Sequence, residues 1–480
     1  MPVSERYRPA PLFQDLGPDF ADPVAPARFP QHLLRYRNRE WAAKVGLDTL
    51  TEPEWQAHFA QFAPLPDNMR QPLAMRYHGH QFRIYNPDLG DGRGFLFAQI
   101  RDDAGRLLDL ATKGSGQTPY SRFGDGRLTL KGGVREVLAA EMLETLGVST
   151  SKAFSLFETG EALTRGDEPS PTRSSVLVRL GYSHIRFGTF QRLAFFERPE
   201  LIRQLIDHVV EVYYPELAHA EGVARAAAMF GAVVEANARL AASWMAAGFV
   251  HGVLNTDNLN VTGESFDYGP WRFLPHSDPS FTAAYFDETG LYAFGRQPEA
   301  VSWALAQLGG ALTLVCPAAE LEQQMTRFSP AYQQGLRAGM LRRLNLSSGE
   351  LAADLQFLQI VFDWLTQSQA SWDQFFHDWR SGDASSARAQ QSPQAALYEA
   401  PEFTPVREGL TARTPSAGDE LLAHPYFQRR TPHTMLIDEV EALWAPIAEA
   451  DNWSLFEAKL TQLAEMRDAL RLSPHPPVSV

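Results

Sequence analysis

Two oxygen-bearing side chains, Asn258 and Asp267, lie close together in a polar stretch of the chain. Amide and carboxylate oxygens are the ligands that Mg²⁺ and Mn²⁺ take, usually with phosphate oxygens and water completing the shell. Asp257 stands directly before Asn258, where its carboxylate could accept a proton from a nucleophile that attacks a phosphate. The stretch therefore predicts metal-assisted phosphate chemistry, although two polar loops flanking a short hairpin would look the same in sequence.

Upstream residues are of the kinds that hold phosphates. The segment 90–94 reads Gly-Asp-Gly-Arg-Gly, and glycines let backbone N–H groups approach phosphate oxygens closely. Lys113 ends an apolar run, and Glu136 follows on a predicted helix. An ion pair between them would fix the ammonium group against a nucleotide. Taken alone, the glycine loop is equally typical of a simple turn and Glu136 of a surface charge. A second Gly-Asp-Gly-Arg, at 124–127, is treated as a chance echo of sequence.

The order of these features matches the motifs of protein kinases. His251 and Asn258 take the places of the histidine and metal-binding asparagine of the catalytic loop, and Asp267 begins the magnesium-binding triplet. The usual catalytic aspartate would fall at position 253, but Val253 cannot accept a proton. Ordinary phosphoryl transfer is therefore predicted to be impaired. Asp257 is the nearest substitute base, which predicts a reversed nucleotide with its α-phosphate near that residue.

A reversed nucleotide would need additional cations for its outer phosphates. Arg179 and Arg186 are candidates, since arginine binds phosphate oxygens with paired donors. Two surface arginines on either side of a turn would give the same spacing.

The elements that must position these residues change along the chain. Apolar runs at 95–100, 107–112 and 175–180 predict strands, and 134–146 predicts a helix that ends at Gly147. Helical periodicity dominates later, at 201–214, 223–247, from 298 onwards and at 434–471. The prediction is an α+β, protein-kinase-like bilobal fold with a small β-rich N-lobe and a large helical C-lobe. The predicted parts are an N-terminal extension with a short helical stretch near 30–45 (1–75), the N-lobe (76–195) and the C-lobe (196–480), with a long mobile loop at 380–420.

Composition restricts the setting and the partners. The 480 residues carry a formal net charge of −14, which disfavours nucleic-acid binding because that needs a basic surface. Cys316 is the one cysteine, so no internal disulfide can form. The longest uncharged run, between residues 299 and 320, is broken by Pro317 and predicts no membrane span. With no signal-peptide pattern at the start, we expect a cytoplasmic protein.

Six segments together resemble the selenoprotein O family, whose members have a kinase fold and, although once regarded as pseudokinases, act as protein adenylyltransferases. The matching segments are 90–93, 111–126, 133–136, 183–188, 251–258 and 267–270. The resemblance is dense and in order across about 90–270, and further on it rests mainly on helical character.

The resemblance implies that ATP binds in a flipped orientation and that AMP is transferred to Ser, Thr or Tyr hydroxyls of proteins. Protein substrates, some of them redox-related, and self-modification are expected. By resemblance, Glu136 would form an ion pair with Lys113, and Asp257 would accept the proton. Asn258 and Asp267 would bind Mg²⁺ or Mn²⁺. The residues implied in nucleotide binding are Gly90, Gly92, Arg93, Lys113, Asp125, Gly126, Arg179 and Arg186.

One feature departs from the family pattern. Many members carry a selenocysteine or cysteine near the C-terminus, whereas residues 473–480 contain none. Redox regulation through such a residue is therefore not expected here.

Three alternatives to AMP transfer stay open at the level of sequence. The protein could transfer UMP from UTP with Mn²⁺, transfer phosphate as an ordinary kinase of proteins or small molecules, or bind nucleotides without catalysis. Intact Asn258 and Asp267 argue against the last alternative, because a pure scaffold has little use for both metal ligands.

Overall fold

A computed structural model describes residues 3–166 and 168–472, so the segment 473–480 without cysteine lies outside the described residues. Within the described ranges, no helix is long and apolar enough to cross a membrane. The chain is α+β, with most strands before residue 182 and mostly helices after it. The strands are β1 (Arg8–Pro9), β2 (Ala21–Pro23), β3 (Leu33–Arg37), β4 (Leu73–Met75), β5 (Gly79–Gln81), β6 (Ile84–Asn86), β7 (Leu96–Arg101), β8 (Leu107–Lys113), β9 (Leu128–Thr129), β10 (Lys152–Leu163), β11 (Thr172–Gly181), β12 (Phe249–Val250) and β13 (Arg272–Phe273).

The helices accumulate towards the C-terminus. They are α1 (Arg39–Lys44), α2 (Glu52–Phe59), α3 (Leu130–Thr145), α4 (Phe187–Phe195), α5 (Pro199–Tyr213), α6 (Gly222–Ala247), α7 (Gln297–Leu312), α8 (Ala318–Met325), α9 (Phe328–Arg343), α10 (Leu351–Ser368), α11 (Trp372–Asp378), α12 (Ser386–Ala389), α13 (Ala395–Glu399), α14 (Thr404–Thr411), α15 (Ile437–Ala450) and α16 (Ser454–Leu470).

The main sheet has nine antiparallel strands in the order β2-β4-β7-β8-β11-β10-β3, with β1 added to β7 and β9 to β11. Both of its faces are covered. Helix α3 packs on one face, where Val134 and Leu138 join a core with Leu156 and Leu177. The other face packs against an aromatic cluster that includes Trp55 of α2. Strand β8 is consequently buried along its whole length, which makes it a rigid support for Lys113 at its end.

The predicted strands at 95–100, 107–112 and 175–180 are confirmed as β7, β8 and β11, and the helix at 134–146 as part of α3. Gly147 follows α3 with a positive φ of 75°, the conformation that favours glycine at a helix end. The helices predicted at 201–214, 223–247 and from 298 correspond to α5, α6 and α7. The helical stretch predicted at 434–471 is divided into α15 and α16.

Other local predictions were wrong in whole or in part. The helical stretch predicted near 30–45 is confirmed only in its second half, as α1. Residues 33–37 form strand β3 instead, because they pair with β10, a strand that was not predicted from the sequence. The first 75 residues contribute strands β1 to β4 to the main sheet. The predicted long loop at 380–420 contains α12, α13 and α14, where Tyr398, Phe403 and Leu410 are buried among aromatic residues of α10 and α11.

The last two helices return to the β-rich part. Helix α16 packs on α3, and Arg467 forms ion pairs with Glu141 and Glu144 of that helix. Lys131 at the start of α3 pairs with Glu441 of α15, at 2.7 Å between Nζ and Oε2. The helix that carries Glu136 is thus held between the sheet and the C-terminal helices.

The segment between β11 and α4 joins the β-rich part to the loop that carries Asp267. Backbone bonds run from Phe187 N–H to Leu259 O (3.1 Å) and from Val261 N–H to Ile185 O (3.1 Å). The fully buried carboxyl of Glu264 accepts a hydrogen bond from Tyr182 N–H at 2.9 Å. Burial raises the pKa of Glu264 to about 8 against the lowering effect of Lys152 and Arg106. The contact between these two segments therefore contains a carboxyl that is protonated at neutral pH.

We expect Glu264→Gln to remove a pH-dependent cost to stability. The folded-state pKa lies above the unfolded value, so stability is greatest below the unfolded pKa, near 4.5, and falls as pH rises towards 8. The substitution should change the free energy of unfolding little at pH 4 and raise it on the order of 3–5 kcal/mol at pH 8.5. Urea denaturation at both pH values tests this. Glu216→Gln, at an exposed position, is the control, and an equal effect of Glu264→Gln at both pH values would contradict the prediction.

Candidate active site

A cleft of about 670 Å³ lies where both glycine-containing loops, the end of β8 and the loop with Asp267 meet. Most of the residues that the sequence analysis selected line it: Gly90, Gly92, Arg93, Lys113, Asp125, Gly126, Arg179, Arg186, Asp257 and Asp267. The remaining two adjoin these residues, since Glu136 pairs with Lys113 and Asn258 follows Asp257. The structure therefore brings the predicted site residues together in one place.

The two Gly-Asp-Gly-Arg segments are neighbours in space and both line the cleft. The segment 118–121, which leads to the second one, packs directly on the first. A Cβ added to Gly90 would lie 2.3 Å from the ring of Tyr120, and one on Gly92 would lie 2.8 Å from its carbonyl oxygen. Only glycine fits at these two positions without displacement. The two copies of the Gly-Asp-Gly-Arg sequence thus lie in two loops that border the same cleft.

Lys113 is held from two sides at the end of β8. Its ammonium group pairs with Glu136 of α3, and its Nζ lies 2.8 Å from Oδ1 of Asp267. Lys113 and Glu136 are only 5% and 3% exposed. Glu136 is therefore the partner of a buried cation, and the alternative interpretation as a surface charge was wrong.

Asp267 is the point on which the cations converge. Besides Lys113, Arg179 Nη1 lies 3.1 Å from its Oδ1, and Arg186 Nη1 lies 3.4 Å from its Oδ2. Burial would raise the pKa of Asp267, but these three cations hold it well below its usual value. Asp267 also adopts a positive φ of 65°, an unusual backbone conformation for a residue other than glycine. Both arginines are buried at the site, so the alternative of two surface arginines was wrong.

Arg186 connects this charge cluster to the turn that carries Asp257. Its Nη1 donates to the carbonyl oxygen of Asp257 at 2.7 Å, and its Nη2 lies 3.4 Å from Oδ1 of Asp91. Burial raises the pKa of Asp257 to about 6, although Arg186 lowers it. Oδ1 of Asp257 has no hydrogen-bond partner among the described residues. The site thus contains one strongly ionised carboxylate and one carboxylate with a pKa nearer neutrality.

The turn of Asp257 is a short 3₁₀ helix, Thr256–Asn258. Asn258 Nδ2 donates to Val253 O at 3.0 Å, so its amide oxygen is directed away from that bond and can act as a ligand. His251 contacts the carbonyl oxygen of Phe266 through Nε2 at 2.9 Å, and burial lowers the pKa of this histidine. His251 therefore ties the segment before Asp257 to the segment before Asp267.

The donor set fits a divalent cation that shares its shell with substrate. In the described part of the chain, no group of three or more His, Cys, Asp or Glu could enclose a metal ion. Mg²⁺ characteristically needs no such cage, because one or two protein oxygens suffice when phosphates and water supply the rest. The Asp267 carboxylate and the amide oxygen of Asn258 are suited to that role.

Several lining residues were missed by the sequence analysis. Asp91 binds Arg186, and the rings of Tyr77 and Phe266 lie below 5 Å from the Arg186 guanidinium carbon, at 4.7 and 4.9 Å. The cleft is also lined by Arg122, Arg127 and Arg165. Asp91 and Arg127 lie inside the two Gly-Asp-Gly-Arg segments and Arg122 lies inside the segment 111–126, so all three could have been noticed there. The others become neighbours only through folding.

Comparison with known proteins agrees with this geometry. The family model described as "Protein adenylyltransferase SelO" matches residues 4–464. A protein nucleotidyltransferase YdiU from Synechococcus elongatus is 46% identical over 94% of this chain and 94% of its own length. The protein of the same name from Gloeobacter violaceus is 47% identical over 93% of this chain and 92% of its own, and that from Pseudomonas putida 39% identical over 78% and 76%. The chain therefore belongs to the SelO family of protein adenylyltransferases and is an enzyme of the nucleotidyltransferase class.

Proposed function

We propose that the protein transfers AMP from ATP to Ser, Thr or Tyr hydroxyls of other proteins and of itself, within a protein-kinase-like bilobal fold. The observation that carries this proposal is the convergence of Lys113, Arg179 and Arg186 on Asp267, beside the Asp257 turn. The β-rich N-lobe supplies Lys113 and Arg179, and the C-lobe supplies Asp257 and Asp267. Phosphate chemistry then takes place in the cleft between the lobes.

The cations favour a flipped nucleotide. Arg179 and Arg186 are almost completely buried and lie at the Asp267 end of the cleft. They are placed to bind the β- and γ-phosphates with Lys113 through charge-assisted hydrogen bonds. In that orientation the α-phosphorus would lie beside Asp257. Gly90, Gly92, Arg93, Asp125 and Gly126 on the cleft wall would complete nucleotide binding.

The reaction we propose has one proton transfer. Asp257 accepts the proton of the acceptor hydroxyl, whose oxygen forms a bond to the α-phosphorus while the bond to the bridging oxygen of pyrophosphate breaks. The raised pKa of Asp257 favours this role, because a general base works best with a pKa near the working pH. Lys113 and the two arginines stabilise the negative charge of the departing pyrophosphate. Mg²⁺ or Mn²⁺ bound by Asn258 and Asp267 would supply further charge neutralisation at the phosphates.

Partners and setting follow from the same proposal. The acceptors are proteins, among them redox-related ones, rather than nucleic acids or membranes, in keeping with the net charge of −14. The single cysteine is buried and suits a reducing, cytoplasmic compartment. Among the described residues that line the cleft, none selects between ATP and UTP, so transfer of UMP stays the alternative to transfer of AMP.

Labelled ATP distinguishes AMP transfer from phosphorylation. We expect the protein, incubated with Mg²⁺, to incorporate label from the α-phosphate of ATP and none from the γ-phosphate. Intact-mass measurement should show the addition of an AMP group. Label from the γ-phosphate alone would contradict the proposal. Parallel incubation with UTP and Mn²⁺ shows whether UMP is transferred instead.

Substitutions of the two carboxylates should separate their roles. Asp257→Asn should lower kcat by about 10²–10⁴-fold with little change in ATP affinity, because it removes only the proton acceptor. Asp267→Ala should abolish turnover and also weaken binding of metal-bound ATP, since it removes the carboxylate proposed to hold the metal. Turnover and calorimetric binding of ATP with Mg²⁺ measure both effects. Asp88→Asn, an exposed change near the cleft, is the control. If the Asp257→Asn variant keeps wild-type turnover, Asp257 is not the base.

A further inference from the structure

The carboxylate of Asp257 lines the cleft where the turn Thr256–Asn258 meets the β5–β6 hairpin. Its Oδ1 is buried without a hydrogen-bond partner among the described residues. Since Oδ1 faces the backbone of Gly79, the orientation of the carboxylate depends on how the turn is fixed against the hairpin.

Thr256, directly before Asp257, belongs to a closed set of hydrogen bonds. Its hydroxyl donates to Oε1 of Gln191 on α4 at 2.7 Å and accepts from the backbone N–H of His80 at 2.7 Å. Gln191 Nε2 lies 2.9 Å from Nδ1 of the same His80 and donates to it. Thr256 is completely buried and Gln191 is 4% exposed. Each polar atom in the set thus has a defined partner, which fixes the side-chain rotamers of both residues.

The β5–β6 hairpin (Gly79–Asn86) completes the restraint on the turn. Its Phe82 N–H donates at 3.0 Å to Oδ1 of Asn255, the residue before Thr256. Gly79 lies against the turn so closely that a Cβ there would be 3.1 Å from Oγ1 of Thr256 and 3.3 Å from Oδ1 of Asp257. The hairpin backbone therefore lies against three successive residues, 255–257, where the turn begins.

We infer that Thr256 and Gln191 are positioning residues for Asp257, whose carboxylate they hold at the wall of the cleft through the β5–β6 hairpin. Neither residue lines the cleft, so their effect passes through the turn. This inference rests on the proposed role of Asp257 as proton acceptor. It adds that Gln191, of α4, and the hairpin hold the turn of Asp257 in place.

Thr256→Val tests the inference because it removes the hydroxyl and preserves the shape of the side chain. We expect kcat for AMP transfer to fall by about tenfold to a hundredfold, as small misplacements of reacting groups do. The KM for ATP should change by less than about threefold, because the phosphate-binding cations are untouched. Thr256→Ser keeps the hydroxyl and should restore most of kcat. A rise in the KM for ATP as large as the fall in kcat would indicate a merely structural role and overturn the inference.

Thr189→Val is the matched control. Thr189 lies on α4 near Gln191 and is 2% exposed, and its hydroxyl has no hydrogen-bond partner among the described residues. The same chemical change should therefore leave kcat unchanged. An equal loss of kcat in Thr189→Val and Thr256→Val would overturn the inference, since any buried hydroxyl on these elements would then matter equally.

Gln191→Leu provides a second and independent variant. If both residues act through one hydrogen bond, the double variant with Thr256→Val should lose no more kcat than either single variant. Additive losses would overturn the inference. Thermal melting of each variant verifies folding. Asp257→Asn, assayed in parallel, separates the two claims: if it stays active, the proposed base is wrong, whereas if it is inactive while Thr256→Val keeps its kcat, only the positioning inference fails.

Discussion

The buried charge cluster around Asp267 is the interaction on which the rest of the site depends. Three cations, Lys113, Arg179 and Arg186, share this carboxylate, and Glu136 and Asp91 supply the remaining counter-charges. Buried cations are tolerated only when opposite charges and hydrogen bonds replace water. Because these residues come from β8, β11, α3 and three separate loops, the cluster can form only when all of these elements are correctly placed. Formation of the charge cluster therefore depends on correct folding of all these elements.

Helix α3 shows how distant parts of the chain serve this arrangement. Glu136 must lie against Lys113, and α3 is fixed to the sheet on one side through its apolar residues. On its other side, Arg467 of α16 pairs with Glu141 and Glu144. A helix restrained on both sides cannot rotate Glu136 away from the lysine without breaking buried contacts. The C-terminal helices thus stabilise a residue more than 300 positions earlier in the chain, as the separation of the Arg467–Glu141 bond indicates.

The sequence predicted which residues gather at the site better than it predicted the path of the chain. Asn258, Asp267, Lys113 and Glu136 were recognisable because residue type and order along the chain are local information. Strand β3 was predicted as helix, since its strand character comes from pairing with β10, more than 100 residues away. The segment 380–420 was predicted as a loop because its composition is polar, yet Tyr398 and Phe403 bury it against distant aromatic residues. Thr256 lies inside the selected segment 251–258 but received no role, and Gln191 was not selected at all, because the hydrogen bond between them joins residues 65 positions apart.

The two carboxylates of the site differ in a way that assigns them different roles. Both are buried, yet the pKa of Asp267 is held well below its usual value by three cations, whereas burial raises the pKa of Asp257 to about 6. A carboxylate that stays ionised is suited to binding metal and balancing cations, and one with a pKa nearer neutrality is suited to exchanging a proton. Arg186 lowers the pKa of both carboxyls, but it bonds to Asp257 through the backbone carbonyl, and Oδ1 of Asp257 has no hydrogen-bond partner among the described residues. The two carboxylates thus differ in acidity, as the proposed division between a metal ligand and a base requires at a site that lacks the aspartate of ordinary kinases.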